Sequence, residues 1–132
     1  VALNAELPAC DGCCLVMART DHLRRITDNL LGNALKFTPA GGQVAVRLRE
    51  GEHRVHLEVA DTGIGIPSHL QERIFERFFQ VDSSQRRARG GAGLGLALVK
   101  ELVESYGGSV NAVSAGKDQG STFTVVLPRA VV

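Results

Sequence analysis

The sequence has no tryptophan, a single tyrosine at Tyr106, and aromatic residues at only 5% of its 132 positions. That excludes a core built on large rings and leaves Val, Leu, Ile and Ala to fill the interior. It also lacks an excess of one charge: 15 Lys and Arg against 14 Asp and Glu give a net charge of +1. A nucleic-acid partner is therefore not expected. The one basic concentration is Arg86, Arg87 and Arg89. No apolar run approaches the ~20 residues of a membrane-crossing helix, and no basic-then-apolar leader opens the chain. A cytoplasmic location is expected, with any membrane anchor in segments outside this sequence. Cysteine is scarce and clustered at Cys10, Cys13 and Cys14. An odd, crowded set makes a poor disulfide framework. With only His22 nearby as a fourth ligand, the three are read as thiols of a turn rather than a metal site.

What remains is an ordinary soluble composition, 44% apolar and 22% charged, at a length that suits one domain over residues 1–132. The chain opens on Val1 in mid-pattern and reads as a fragment of a larger protein. "VALNAEL" alternates as a strand, and "CLVMA" reads as its hairpin partner. Thr20-Asp21 supplies an expected N-cap for "HLRRITDNLLGNALKF", whose Leu23, Ile26, Leu30, Ala34 and Phe37 recur at helical spacing. Pro39-Ala40-Gly41-Gly42 ends that helix. "QVAVRLRE" and "RVHLEVAD" alternate and form an antiparallel hairpin with one wet face. A short helix is expected over 67–79 and a mobile loop after it. A further helix over 94–106 ends at Gly107-Gly108, and "SVNAVSA" and "STFTVVL" close the chain as strands. The pattern predicts an α+β fold, a two-layer α/β sandwich with a mixed sheet of about five strands backed by three helices.

Glycine is the residue in surplus, with 15 copies. "GGAGLGLALVK" places Gly90, Gly91, Gly93 and Gly95 directly ahead of an apolar helix. It fits neither G-x-G-x-x-G nor G-K-[ST], so it is not a dinucleotide loop or a P-loop. A glycine hinge ending on a helix N-terminus can still close over polyphosphate with free N–H groups. On the first long helix, Asn29, Asn33 and Lys36 fall within about 60° of one another. Two amides and an ammonium on one stripe suit a metal–phosphate group, or else form a solvated polar face. In "DTGIGIP", Asp61 leaves its strand where its carboxylate can accept a hydrogen bond from an amino group. Gly63 and Gly65 let backbone approach a flat ring without a Cβ between them.

Taken together and in order, "DNLLGNALKFTP", "DTGIGI", "IFERFF", "GGAGLGLALVK" and "GSTFTVVLP" resemble the N box, first glycine box, F box, second glycine box and final strand of sensor histidine kinase catalytic domains. These belong to the ATP-binding superfamily of gyrase, heat-shock chaperone and mismatch-repair ATPases, and the match runs from about Asp21 to Pro128. The resemblance implies an ATP-binding domain that donates the γ-phosphoryl group to a histidine. Its cofactors would be ATP and Mg²⁺. It makes Asn33 the magnesium ligand and Asn29 and Lys36 phosphate-side residues, the three forming the catalytic set. Asp61 would bind the adenine amino group, with Gly63 and Gly65 under the base. Gly91, Gly93, Leu94 and Gly95 would belong to the phosphate lid at about 80–92 and its exit. Phe75, Phe78 and Phe79 would anchor the lid, and Thr122 would lie near the adenine.

Hydrolysing members of that superfamily carry a Glu general base four residues before the magnesium-binding Asn. Here the position is Asn29, and an amide cannot take a proton from water. The phosphoacceptor is expected on a separate dimerisation domain, because His22, His53, His56 and His69 lack its acidic-flanked helical context. The implied partners are that domain and, downstream, a response regulator receiver domain. The full-length protein would be a homodimer and this fragment a monomer. Gln80 stands where many family members have Arg or Lys, and Arg77, Arg86, Arg87 or Arg89 are alternatives for that contact. The other readings are a degenerate nucleotide-binding scaffold and a serine kinase or ATPase of the same superfamily.

Overall fold

The computed structural model describes residues 2–6, 18–76, 95–116 and 118–129. In chain order these form β1 (Ala2–Glu6), α1 (Thr20–Phe37), β2 (Gln43–Glu50), β3 (Arg54–Asp61), 3₁₀ turns at Ser68–Leu70 and Arg73–Phe75, α2 (Gly95–Ser105), β4 (Ser109–Val113) and β5 (Ser121–Pro128). The sheet order is β1-β2-β3-β5-β4. β1 runs parallel to β2, and every other pairing is antiparallel. The mixed five-stranded sheet of the expected two-layer α/β sandwich is present. The hairpin partner expected in "CLVMA" lies outside the described residues; among the described residues, β1 pairs with β2.

Alternation decides which sheet face is covered. Val44 of β2, Val55 and Val59 of β3, and Phe123, Val125 and Leu127 of β5 are buried. They point to the helix layer, where α1 contributes Ile26, Leu30 and Ala34 and α2 contributes Ala97, Val99 and Val103. Burying aliphatic side chains of this size stabilises by about 1.5–3 kcal/mol each relative to exposure. The opposite face is polar: Arg49 donates to both oxygens of Glu58 at 2.9 and 3.1 Å, and Val113 is left exposed.

Two boundaries differ from expectation. The N-cap of α1 is Arg19, not the Thr20-Asp21 pair, and it makes no side-chain cap bond. Its backbone N–H instead donates to the Tyr106 hydroxyl at 3.1 Å, just past the end of α2. Asp21 sits in the first turn and receives the Arg19 guanidinium at 3.1 Å on each oxygen. Desolvation acts to raise the Asp21 pKa, but the Arg19 hydrogen bond and charge, with His22, outweigh it and hold the carboxyl below its ordinary value. The second difference is the helix expected over 67–79. Its described part is two 3₁₀ turns that put Ile74 in the core and Leu70 and Phe75 against it, and the backbone turns extended at Glu76. Phe75 packs on Phe123 with ring centroids 6.2 Å apart.

Candidate functional site

Asp61 ends β3 opposite Ser121, the first residue of β5. Both lie on the helix-covered face by the alternation that buries Val59 and Phe123. Asp61 Oδ1 accepts the Gly63 N–H at 2.9 Å, and Oδ2 accepts the Ser121 hydroxyl at 2.9 Å. One bond on each oxygen fixes the carboxylate plane and leaves each oxygen further lone-pair capacity. Thr122, the residue expected near this site, is registered with Ala60 and falls on the opposite face of the sheet. Ser121 is the residue the sequence reading passed over. The burial period of Phe123, Val125 and Leu127 is the signal that puts position 121 on the same face as Asp61.

The loop after Asp61 is clamped from both sides. The Thr62 N–H donates to Gln43 O at 3.1 Å, and the Ile64 N–H donates to Phe37 O at 3.1 Å. From the other side, the Asp118 and Gly120 N–H groups donate to Ile64 O at 2.6 Å and Gly63 O at 3.1 Å. These approaches account for the two glycines. A Cβ on Gly63 would collide with the Phe37 carbonyl oxygen, and one on Gly65, at φ +71°, with the Gly116 carbonyl oxygen. The space a side chain would need at each position is thus taken by protein backbone.

The two halves of the phosphate-side reading meet at Asn29. Its Nδ2 donates to Arg25 O at 2.8 Å, which turns Oδ1 outward. A Cβ on Gly95, the first residue of α2, would lie 2.8 Å from that Oδ1. Glycine at 95 therefore lets an amide oxygen stand beside the N-terminus of α2, where unpaired N–H groups favour anionic ligands. Asn33 is partly buried and Lys36 is exposed on the same helix. Neither side chain has a protein partner among the described residues. Gly91, Gly93, Leu94, the 80–92 segment, Arg77, Phe78, Phe79, Gln80, the three arginines at 86, 87 and 89, and Cys10, Cys13 and Cys14 lie outside the described residues.

No helix among the described residues is long and apolar enough to cross a membrane. Nor do those residues bring three His, Cys, Asp or Glu side chains together as a metal cluster.

The family described as histidine kinase-, DNA gyrase B- and HSP90-like ATPase matches residues 18–131. The circadian input-output histidine kinase CikA of Thermosynechococcus vestitus is 51% identical over 107 residues, covering 81% of this chain and 14% of that protein. The chain thus spans a small part of the length of this curated relative. Among solved structures, the mycobacterial sensor histidine kinase MprB superposes with a TM-score of 0.84 at 31% identity, over 99% of this chain and 85% of that one. Full-length ShkA in complex with AMPPNP superposes with a TM-score of 0.80 at 35% identity, over 98% of this chain and 26% of that one.

Proposed function

The chain belongs to the histidine kinase-, DNA gyrase B- and HSP90-like ATPase family, and from that premise we propose that it is the ATP-binding catalytic domain of a sensor histidine kinase. The observation that carries this reading is the carboxylate of Asp61, held by Ser121 and Gly63 at the end of β3. A fixed acceptor suits the exocyclic amino group of adenine. The solved relative in complex with AMPPNP supports a nucleotide as the ligand.

Asn29, Asn33 and Lys36 of α1, together with the N-terminus of α2, would hold the triphosphate. The available donors fit magnesium: amide oxygens without competing partners among the described residues, as suits an ion that keeps several waters. Asn33 would hold the ion, which would supply charge neutralisation on the phosphates. Lys36 adds positive charge. Asn29, being an amide, positions without abstracting a proton and so does not itself activate water. Phosphoryl transfer to an imidazole requires mainly alignment and charge stabilisation. The unprotonated imidazole nitrogen forms a bond to the γ-phosphorus as the bond to the bridging oxygen breaks, ADP leaves with that electron pair, and the N–H proton of the other ring nitrogen passes to solvent.

The acceptor histidine belongs to a separate dimerisation domain of the same protein, and an aspartate on a response regulator receives the phosphoryl group afterwards. Incubating this domain with γ-labelled ATP and a dimerisation domain tests the proposal. Acid-labile, base-stable label on the acceptor is the expected result. Label appearing only as free phosphate would reassign the domain to hydrolysis.

A further inference from the structure

The hydroxyl of Ser114, just after β4, joins the loop that follows Asp61 to the residues ahead of β5. It donates to Gly120 O at 2.6 Å and accepts the N–H groups of Ile66 at 3.0 Å and Gly116 at 3.2 Å. Its single proton has a second acceptor within reach, Gly116 O at 3.2 Å, and the shorter Gly120 contact is the stronger of the two. Ser114 is held in turn by Gln71, whose Nε2 donates to Ser114 O at 2.8 Å and to Ile66 O at 3.3 Å.

The two segments so joined are the two sides of the Asp61 clamp. Ile66 ends the loop that begins at Asp61 and carries Gly63, the donor to Oδ1. Gly120 immediately precedes Ser121, the donor to Oδ2, and its own N–H donates to Gly63 O at 3.1 Å. The spacing between the two donors is therefore held by these direct backbone bonds and, beside them, by a hydroxyl that does not itself touch Asp61.

We propose that Ser114, braced by Gln71, is a positioning residue for base recognition, setting the orientation of the Asp61 carboxylate and with it the preference for adenine. The inference rests on the nucleotide reading above and deepens it. Without the Ser114 hydroxyl, the Ile66 N–H loses its acceptor and the Gly120 carbonyl its donor, and the clamp loosens while the sheet behind it is untouched.

The test measures calorimetric affinity of the 132-residue chain for ADP and for inosine diphosphate, which lacks the 6-amino group. The wild type should prefer ADP by about ten-fold or more, as for a hydrogen bond to a charged acceptor. Ser114→Ala should bring that preference to within about three-fold, mostly through weaker ADP binding. Ser114→Thr, which keeps a hydroxyl, should restore it. Gln71→Ala leaves the hydroxyl in place, should reduce the preference in the same direction, and carries the test if Ser114→Ala does not fold. A folded variant that keeps the wild-type preference, or that loses both nucleotides equally, overturns the positioning role. A wild type that binds neither nucleotide overturns the nucleotide reading itself, and the inference with it.

Discussion

Ser121 Oγ donates to Asp61 Oδ2 at 2.9 Å across the β3–β5 ladder, so the carboxylate is oriented from the neighbouring strand as well as from its own loop. Ser121→Ala removes a hydrogen bond to a carboxylate without opening the core. It should weaken adenine nucleotide binding by about 1–2 kcal/mol and change unfolding free energy by less than about 1 kcal/mol. Calorimetric titration and urea unfolding of the same protein check both halves.

Two glycines should respond in opposite directions. Gly65 has φ +71° and its Cβ would meet the Gly116 carbonyl oxygen, whereas a Cβ on Gly32, inside α1, has nothing within 4 Å. Gly65→Ala should cost on the order of 2–4 kcal/mol from a left-handed backbone plus a backbone collision. Gly32→Ala should stabilise by about 0.5–1 kcal/mol through helix propensity. Denaturant titrations of both variants read the contrast.

Asn33→Ala removes an amide with no competing protein partner among the described residues, so the fold has little to lose. ATP affinity should fall about ten-fold in magnesium and hardly at all in EDTA, if the amide contributes one charge-assisted contact. An equal loss in both conditions would separate Asn33 from the metal.

Tyr106 links the ends of the two α-helices. Its hydroxyl accepts the Arg19 N–H at 3.1 Å and lies 2.6 Å from His22 Nδ1. Tyr106→Phe keeps the ring but takes the hydroxyl from both Arg19 and His22, and should cost about 1 kcal/mol of stability, measured by urea unfolding.

Much of this architecture is legible in the sequence because period and burial coincide. The β2–β3 hairpin has the strand limits that alternation predicts, Gln43–Glu50 and Arg54–Asp61. α1 buries the expected Ile26, Leu30 and Ala34. What escapes is set by contacts distant in sequence. Tyr106 serves Arg19 from 87 positions away, so no local reading of Thr20 and Asp21 could move the cap. The parallel β1–β2 pairing leaves no local turn signal to read. Ser114 and Gln71 look like ordinary polar residues until the loop, the 3₁₀ turn and β4 come together. Ser121 was within reach, since the alternation of β5 selects it over Thr122. For the Asp61 loop, glycine is legible as a need for close approach, but what approaches Gly63 and Gly65 is this chain's own backbone.

The central claim, a nucleotide site organised by Asp61, is tested most directly by titrating the wild type and Asp61→Asn with a non-hydrolysable ATP analogue in magnesium. An amide presents an N–H where adenine needs an acceptor, so the variant should lose about ten-fold or more in affinity with its unfolding transition nearly unmoved. Equal affinity in the two proteins would contradict the assignment of Asp61 to the base.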